Sequence, residues 1–342
     1  MKPFRAFFLV SLAVLCGLYI YGRSVKTAGE PPGLAGTPAP AFAQATFETE
    51  IITVPAPVST PPHTAAAVPT PTVEPTPFSF VWISDTQVYA YKFPAVFRAM
   101  TQWAVDEKET HNILAVLHTG DIVDNHTLPG HWQKADSAIC LLAPGIPFYC
   151  VAGNHDVGMT QPDYANYLFY DFNNARQPLF AGGACWAQPL SAGGTDFLLL
   201  GIGWRPPDGW LDWAKTVLDA HPDHVAILLT HSFLTGEGEL TREGRLLERE
   251  ILAAFPSVRL VLCGHNRGSA RWEKTYENGR RRVHALMYNF QDDEVRGLGY
   301  LRILMCNPLT RNIALTTYSP WLDRFNYQRD ADLDTFTLRN AF

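Results

Sequence analysis

The amino-acid sequence predicts an α/β fold: a two-sheet β-sandwich flanked by helices, with antiparallel hairpins near its C-terminal end. Three observations lead to this prediction. Apolar runs rich in β-branched residues alternate with amphipathic stretches, short polar segments follow the ends of several apolar runs, and paired apolar runs replace the alternation after Ala270. Strands with helices first and hairpins last are typical of a sandwich that carries its helices outside.

The apolar runs predict six strands, and the amphipathic stretches predict four helices. The strands cover residues 80–83, 113–117, 147–151, 197–202, 225–229 and 259–263. The helices cover residues 94–109, 132–142, 210–220 and 241–255, the first starting with a proline that suits a first helical turn. Two later hairpins join residues 271–276 to 283–287 and residues 300–305 to 313–318.

The N-terminal residues predict export from the cytoplasm. Basic residues flank an apolar stretch at positions 6–21, whose length lies between a signal-peptide core and a full membrane span. Residues 1–28 are therefore interpreted as a membrane anchor or a signal segment. The small-x-small sequence at positions 41–43 lies far beyond the apolar stretch, which favours an uncleaved anchor and a domain at the cell surface or in the periplasm. Cleavage would make the protein secreted.

Composition divides the rest of the chain. Residues 29–77 are dominated by Pro, Ala and Thr, which predicts a disordered spacer. Residues 78–320 carry the strand and helix pattern of the folded domain, and residues 321–342 are interpreted as a C-terminal extension. The chain of 342 residues has a net charge of −6, which argues against nucleic acid as the main partner because such binding needs a basic surface.

Five short segments carry metal-ligating side chains, and three of them begin with glycine. Each follows an apolar run, where the strands of an α/β fold pass into ligand-binding loops. The segments are Ser84-Asp85-Thr86-Gln87, Gly120-Asp121-Ile122-Val123-Asp124, Gly153-Asn154-His155-Asp156, Thr230-His231-Ser232 and Gly264-His265-Asn266-Arg267.

The side chains in these segments are hard or borderline metal ligands and include no thiolate. Such donors suit Mn, Fe, Zn or Mg. Buried carboxylates without a compensating partner are costly, so five polar groups at successive strand ends indicate a divalent-metal site rather than a structural role. The donors are Asp85, Asp121, Asn154, His231 and His265.

The order and residue patterns of the segments resemble those of the calcineurin-like metallophosphoesterase family, whose motifs are D-x-H, G-D-x-x-D, G-N-H-D/E, H and G-H-x-H. The resemblance implies a phosphoesterase domain over residues 78–320 in which Asp121 bridges two metals. It assigns Asn154, His231 and His265 to the first metal and Asp85 to the second.

The same resemblance implies how the reaction runs. A hydroxide generated at the metal would attack a phosphate mono- or diester, with His155 as the general acid and Asp124 as the group that orients it. The expected partner is a phosphorylated small molecule or an envelope phosphoester. Gln291, in the segment Asn289-Phe290-Gln291, is a candidate substrate-binding residue because similar sequences carry Asn, an aromatic residue and Gln there.

Two residues depart from the family pattern, and both fall on the second metal. Gln87 stands where the first motif has His, which resembles a variant of exported bacterial members, and its amide oxygen is a weak ligand. Arg267 stands where the last motif has its second His, and a guanidinium offers no lone pair. The sequence therefore predicts one tightly bound metal and a weakened second site.

Two interpretations of Arg267 remain open. In the first, it replaces the charge of the missing cation and binds substrate phosphate through two parallel hydrogen bonds. In the second, it turns to solvent and the site is impaired. The second interpretation leads to the alternative function, a phosphoesterase-fold binding domain displayed at the cell surface.

Overall fold

The computed structural model describes residues 75–174, 178–291, 298–327 and 331–342, which belong to one compact unit. The predicted anchor or signal segment at 1–28, and the predicted spacer up to residue 74, lie outside the described residues. Among the described residues, no helix is both long enough and apolar enough to cross a membrane.

Strands and helices alternate through the first two thirds of this unit. In chain order the elements are β1 (Phe78–Ile83), α1 (Gln87–Lys92), α2 (Pro94–Asp106), β2 (Ile113–His118), α3 (Pro129–Ile139), β3 (Phe148–Cys150), α4 (Asn154–Val157), α5 (Ala165–Tyr170), β4 (Leu179–Phe180), β5 (Cys185–Ala192), β6 (Thr195–Ile202), α6 (Trp210–Asp219), β7 (Val225–Thr230), α7 (Arg242–Leu247), β8 (Val258–Cys263), β9 (Gly268–Tyr276), β10 (Arg281–Asn289), β11 (Leu301–Asn307), β12 (Asn312–Ser319), β13 (Arg324–Phe325) and β14 (Thr335–Leu338).

The strands form two mixed sheets of seven strands each. Sheet A has the order β13-β12-β11-β1-β2-β3, and β14 pairs with β12. Its strands β1, β2 and β3 are parallel. Sheet B has the order β4-β5-β6-β7-β8-β10-β9, with β6, β7, β8 and β10 parallel. The parallel strands of each sheet carry the polar segments.

Strand β1 shows how the sheets become layers. Side chains alternate between the two faces of a strand, so Phe78, Phe80 and Trp82 point into the cluster between the two sheets. Val81 and Ile83 instead join the cluster that lies under the helices of sheet A. A third cluster packs sheet B against α6 and α7. These layers confirm the predicted two-sheet sandwich with helices outside.

The six predicted strands and both predicted hairpins occur, with ends shifted by one or a few residues. The hairpin of β9 and β10 pairs Arg281 with Tyr276, and the hairpin of β11 and β12 pairs Asn307 with Asn312. The predicted helix at 241–255 is α7 followed by a π-helical turn at Glu248–Leu252. The predicted helix at 132–142 begins earlier, at Pro129.

The sequence pattern missed four strands, of which the two-residue β4 pairs with β5. Strand β5 pairs antiparallel with β6 through the turn at Gly193 and Gly194, a two-glycine signal that was present in the sequence. Strands β13 and β14 lie within residues 321–342 and add to β12. The ring of Phe342 lies 5.4 Å from the ring of Phe197, so this C-terminal segment packs into the core between the sheets.

Candidate metal centre

Polar side chains from both sheets meet at the carboxyl ends of the parallel strands. Each predicted donor lies within a few residues of such an end: Asp85 follows β1, Asp121 follows β2, Asn154 follows β3, His231 follows β7 and His265 follows β8. Because parallel strands of one sheet end at the same edge, five segments that are distant in sequence become neighbours in space.

Three of these donors converge on the imidazole of His231, the fourth. Its Nε2 lies 3.1 Å from Asn154 Oδ1, 3.2 Å from His265 Nδ1 and 3.3 Å from Asp121 Oδ2. One ligand atom from each of Asp121, His231 and His265 lies within 4.8 Å of the others. Two nitrogens and two oxygens of this kind are a donor set suited to a divalent metal ion.

Hydrogen bonds orient the two imidazoles. The backbone carbonyl of Thr119 lies 2.8 Å from His231 Nδ1, so Nδ1 donates and Nε2 faces the other donors. Burial opposes the charged form of His231, but the carboxylate of Asp121 raises its pKa to about 9. Burial lowers the pKa of His265 to about 4, and the ring of Trp204 lies 5.1 Å from the His265 ring.

Asp121 is held by partners from three elements. Its Oδ1 accepts a hydrogen bond of 2.9 Å from the backbone N–H of His155, and its Oδ2 accepts one of 3.2 Å from Gln87 Nε2. Burial alone would raise the pKa of this carboxyl, but His231 and the hydrogen bonds from His231 and His155 hold it below its usual value. Asp121 therefore stays ionised at the centre of the cluster.

Asp85 and Gln87 add oxygen donors beside this cluster. The carboxylate of Asp85 accepts hydrogen bonds from the Ser84 hydroxyl at 2.5 Å and from the His265 backbone N–H at 3.1 Å. Burial raises the pKa of Asp85 to about 7. The amide of Gln87 uses its nitrogen on Asp121, while its buried Oε1 accepts no hydrogen bond from the described residues.

The unsatisfied oxygen of Gln87 tests whether these residues fit a metal ion. A buried acceptor without a partner costs about 1–3 kcal/mol, so a cation bound to it would remove that penalty. A cation would also relieve the repulsion between the buried carboxylates of Asp85 and Asp121, which is among the causes that raise the Asp85 pKa. The residues therefore fit a divalent metal.

His155 and Asp124, the pair predicted for proton transfer, contact each other differently from the predicted side-chain pairing. His155 Nδ1 lies 2.8 Å from the backbone carbonyl of Asp124 and 3.7 Å from the nearer oxygen of the Asp124 side chain. The closer, orienting contact is thus made by the main chain of Asp124, with the carboxylate behind it. The His155 side chain is 39% exposed, unlike the buried ring of His231.

Asp156 is a site residue whose role the sequence reasoning did not find. Its Oδ1 accepts hydrogen bonds from the backbone N–H groups of Ile122 (2.8 Å) and Val123 (2.9 Å), and its Oδ2 accepts one from Gly153 (2.8 Å). This fully buried carboxylate ties the loop after β2 to the loop after β3. The signal was present in the sequence, since an acid that follows a Gly at the third position is typical of a helix N-terminal cap.

His118 supports the same loops from behind the centre. Its Nδ1 accepts a hydrogen bond from the Gly120 N–H at 3.1 Å, and its Nε2 lies 3.0 Å from the Thr86 hydroxyl. Burial lowers the pKa of His118 to about 3, so the ring stays neutral. These contacts make His118 a buried histidine that supports the site loops and is not among the converging donors.

Two glycines are required by close approach. Gly120 has a φ of +96°, and a Cβ there would lie 2.7 Å from His231 Nδ1 and 2.8 Å from the backbone nitrogen of Gly153. A Cβ at Gly264 would collide with the Asp85 carboxylate. The absence of side chains at these positions lets the donor loops approach one another.

The two predicted substrate-binding residues occupy less central positions. Arg267 is exposed and directly precedes β9. Gln291 is partly buried just after β10, and its backbone N–H donates to Asn289 Oδ1 at 3.1 Å. In the Asn-Phe-Gln segment it is Asn289 that reaches the centre, because its Nδ2 donates to the His265 carbonyl at 3.2 Å.

The fold and this donor set define a calcineurin-like metallophosphoesterase site, and comparison with known proteins agrees. The model of the calcineurin-like phosphoesterase family matches residues 78–266, more than half of the chain, and the chain belongs to this family. The match includes all six predicted metal ligands and the His155 segment.

One curated relative is the uncharacterized protein YvnB of Bacillus subtilis strain 168. It is 34% identical over 279 residues, which are 78% of this chain and 21% of that protein. The chain therefore spans about a fifth of the length of this relative.

Two solved structures share the fold. Purple acid phosphatase PPD1 from yellow lupin superposes with a TM-score of 0.52 at 12% identity, over 78% of this chain and 54% of that one. A dimetal phosphatase from Danio rerio superposes with a TM-score of 0.50 at 14% identity, over 77% of this chain and 99% of that one.

The role of Asp156 can be tested with Asp156→Asn. The new amide keeps one acceptor oxygen but turns an NH₂ group toward a backbone N–H, so we expect the free energy of unfolding to fall by about 1–3 kcal/mol. Bound metal should also be lost more readily on dialysis. Urea unfolding and elemental analysis measure both effects.

Asp163→Asn is the matched control, because Asp163 is exposed and an Asn oxygen can also accept the local hydrogen bond from the Ala165 backbone N–H. Its unfolding free energy should stay within about 0.5 kcal/mol of the wild type. Wild-type stability and metal retention in Asp156→Asn would show that the loops do not depend on this carboxylate.

Proposed function

We propose that the protein hydrolyses phosphate mono- or diesters in a metal-dependent reaction. The observation that carries this proposal is the convergence of Asp121, Asn154 and His265 on His231 Nε2, next to a partly exposed His155. Family membership supports the same activity.

Asp121, Asn154, His231 and His265 would hold the tighter metal, and Asp85 with Gln87 would add donors for a second. When bound, a divalent cation supplies Lewis acidity toward phosphoryl oxygens and activates water at neutral pH. The chain's own contribution is to place four ligand atoms in a mostly buried cluster and to keep Asp121 ionised there.

His155 would donate the proton to the leaving oxygen. Its Nδ1 is taken by the Asp124 carbonyl, so Nε2 is the nitrogen that remains for substrate. Burial opposes the charged ring, but Asp121 and the Asp124 carbonyl and carboxylate raise its pKa. A protonated imidazole near neutral pH is what a general acid requires.

Arg267 sets the expected metal content. Its guanidinium has no lone pair, so the second metal would bind weakly and the protein would hold about one tight metal per chain. The exposed side chain is compatible with phosphate binding and also with the alternative function, a catalytically impaired binding domain at the cell surface.

We further propose, from the basic and apolar residues of positions 1–28, that the domain acts outside the cytoplasm on a phosphorylated small molecule or an envelope phosphoester. Recovery of the full-length protein wholly in the cytoplasmic fraction of its cell would contradict this location.

Hydrolysis of p-nitrophenyl phosphate and of bis-p-nitrophenyl phosphate with added manganese tests the activity. We expect turnover in the wild type and a loss of about 10²-fold or more in Asp121→Asn, because an amide binds the cation less strongly than a carboxylate. Asp219→Asn, at an exposed position on α6, should keep wild-type rates. Absence of turnover in a folded, metal-loaded wild type would favour the binding-domain alternative.

His155→Ala isolates proton transfer. A general acid matters most for poor leaving groups, so turnover of an alkyl phosphate should fall by about 10²-fold or more while p-nitrophenyl phosphate loses less. Metal content should stay at the wild-type value. Equal losses for both esters, or loss of metal, would remove His155 from this role.

Arg267→His tests the metal count. The imidazole restores a donor and removes a positive charge, so bound metal should rise from about one to about two per chain by elemental analysis. Arg267→Ala is the control that removes the charge without adding a donor, and it should stay near one. Two full equivalents in the wild type would overturn the proposal of a weakened second site.

A further inference from the structure

A cleft of about 740 Å³ lies beside the metal centre, and the reaction proposed above does not use it. It opens between the carboxyl ends of β6 and β7 on one side and helices α6 and α7 on the other. His231 is the one candidate metal ligand in its lining. The volume is typical of a site for a small molecule. We name it the arginine cleft.

Four arginines line this cleft: Arg205, Arg242, Arg245 and Arg249. The carboxylate of Glu243 is the acidic group of the lining, so the lining carries a surplus of three positive charges. Of the four arginines, Arg249 forms an ion pair with Glu250 at 2.9 Å, and Glu250 also pairs with Lys215 at 2.7 Å. This surplus stands out in a chain whose net charge is −6.

Trp204 joins the cleft to the metal centre. Its ring lies 5.1 Å from the ring of His265 and 5.8 Å from the ring of His231, and it also lines the cleft. The Arg205 guanidinium lies 5.2 Å from the centre of the same ring. One layer of side chains thus separates the metal donors from the first arginine.

We propose that the arginine cleft is the subsite for a second phosphate of the substrate, so that the preferred substrate is a small phosphoester carrying two or more phosphate groups. Guanidinium groups bind phosphate oxygens through parallel N–H donors, and a cleft excludes water better than an open surface. With one phosphate at the metal donors, the second would extend past Trp204 toward Arg242 and Arg245. This inference rests on the proposed function, because it extends that same site.

Adenosine 3′,5′-bisphosphate and its two monophosphates are suitable probes, since they differ in one phosphate group. Inhibition of p-nitrophenyl phosphate hydrolysis gives the ratio of inhibition constants, monophosphate over bisphosphate. We expect a ratio of at least about tenfold in the wild type. In Arg242→Gln/Arg245→Gln it should fall close to one, with metal content unchanged.

Two further variants separate the effect of the cleft from a general loss of charge or of fold. Arg280→Gln/Arg311→Gln removes the same charge at exposed positions outside the cleft and should keep the wild-type ratio. Glu243→Gln removes the acidic group of the lining and should increase the ratio, which a variant that had merely lost its fold would not do.

Calorimetric titration of the same nucleotides measures the ratio without turnover, so failure of the proposed reaction and failure of this subsite can be told apart. A ratio near one in the wild type, or a ratio unaffected by both the arginine and the Glu243 substitutions, would overturn the inference. Tighter binding of a short single-stranded oligonucleotide than of the bisphosphate would overturn the assignment to a small molecule.

Discussion

The buried carboxylate of Asp121 is the constraint on which the rest of the site depends. An ionised carboxylate in a protein interior is costly unless donors surround it. Here the donors are the His155 N–H in α4, the Gln87 amide in α1 and the His231 imidazole just after β7. Each hydrogen bond that stabilises Asp121 also fixes the position of a neighbouring functional group.

A second buried carboxylate near Asp121, that of Asp156, also needs hydrogen-bond donors. Asp156 is buried as well, and burial together with the Asp121 charge raises its pKa to about 7. It is stabilised by three backbone N–H groups, which shape the two loops that present Asp121 and Asn154. The protein thus concentrates negative charge beyond what its own donors balance, and a divalent cation is the partner with the right charge and ligand preference.

Positive charge is arranged differently. At the centre, histidines and amides surround the carboxylates. Arginines lie at the edge instead: Arg267 and the four arginines of the arginine cleft. An arginine cannot ligate a metal but binds phosphate well. Arg267 and the arginines beyond Trp204 therefore bring guanidinium groups, which suit phosphate oxygens, to the edge of the donor cluster.

Local patterns explain why most of the fold was predictable. Strands such as β1 and β7 are buried along their whole length and almost wholly apolar, because strands covered on both faces need few polar side chains. The donors could be predicted because they follow such runs within a few residues. By contrast, β14 has only four residues, and their burial is mixed. Its pairing with β12 depends on tertiary contacts, which a local pattern of apolar residues does not show. The hairpin of β5 was missed although its Gly193-Gly194 turn was visible.

By itself the sequence predicted the fold class, which the structure confirms, and it proposed Asp85, Asp121, Asn154, His231 and His265 as donors. Local sequence is enough for these predictions, because it shows both the type of each side chain and its position after an apolar run. Tertiary structure alone decided that the Asp124 carbonyl, closer than its carboxylate, contacts His155. It also decided that Asp156 ties the donor loops and that four arginines gather beside Trp204. These facts are distances between segments far apart in the chain, and only packing of the two sheets and their helices sets such distances.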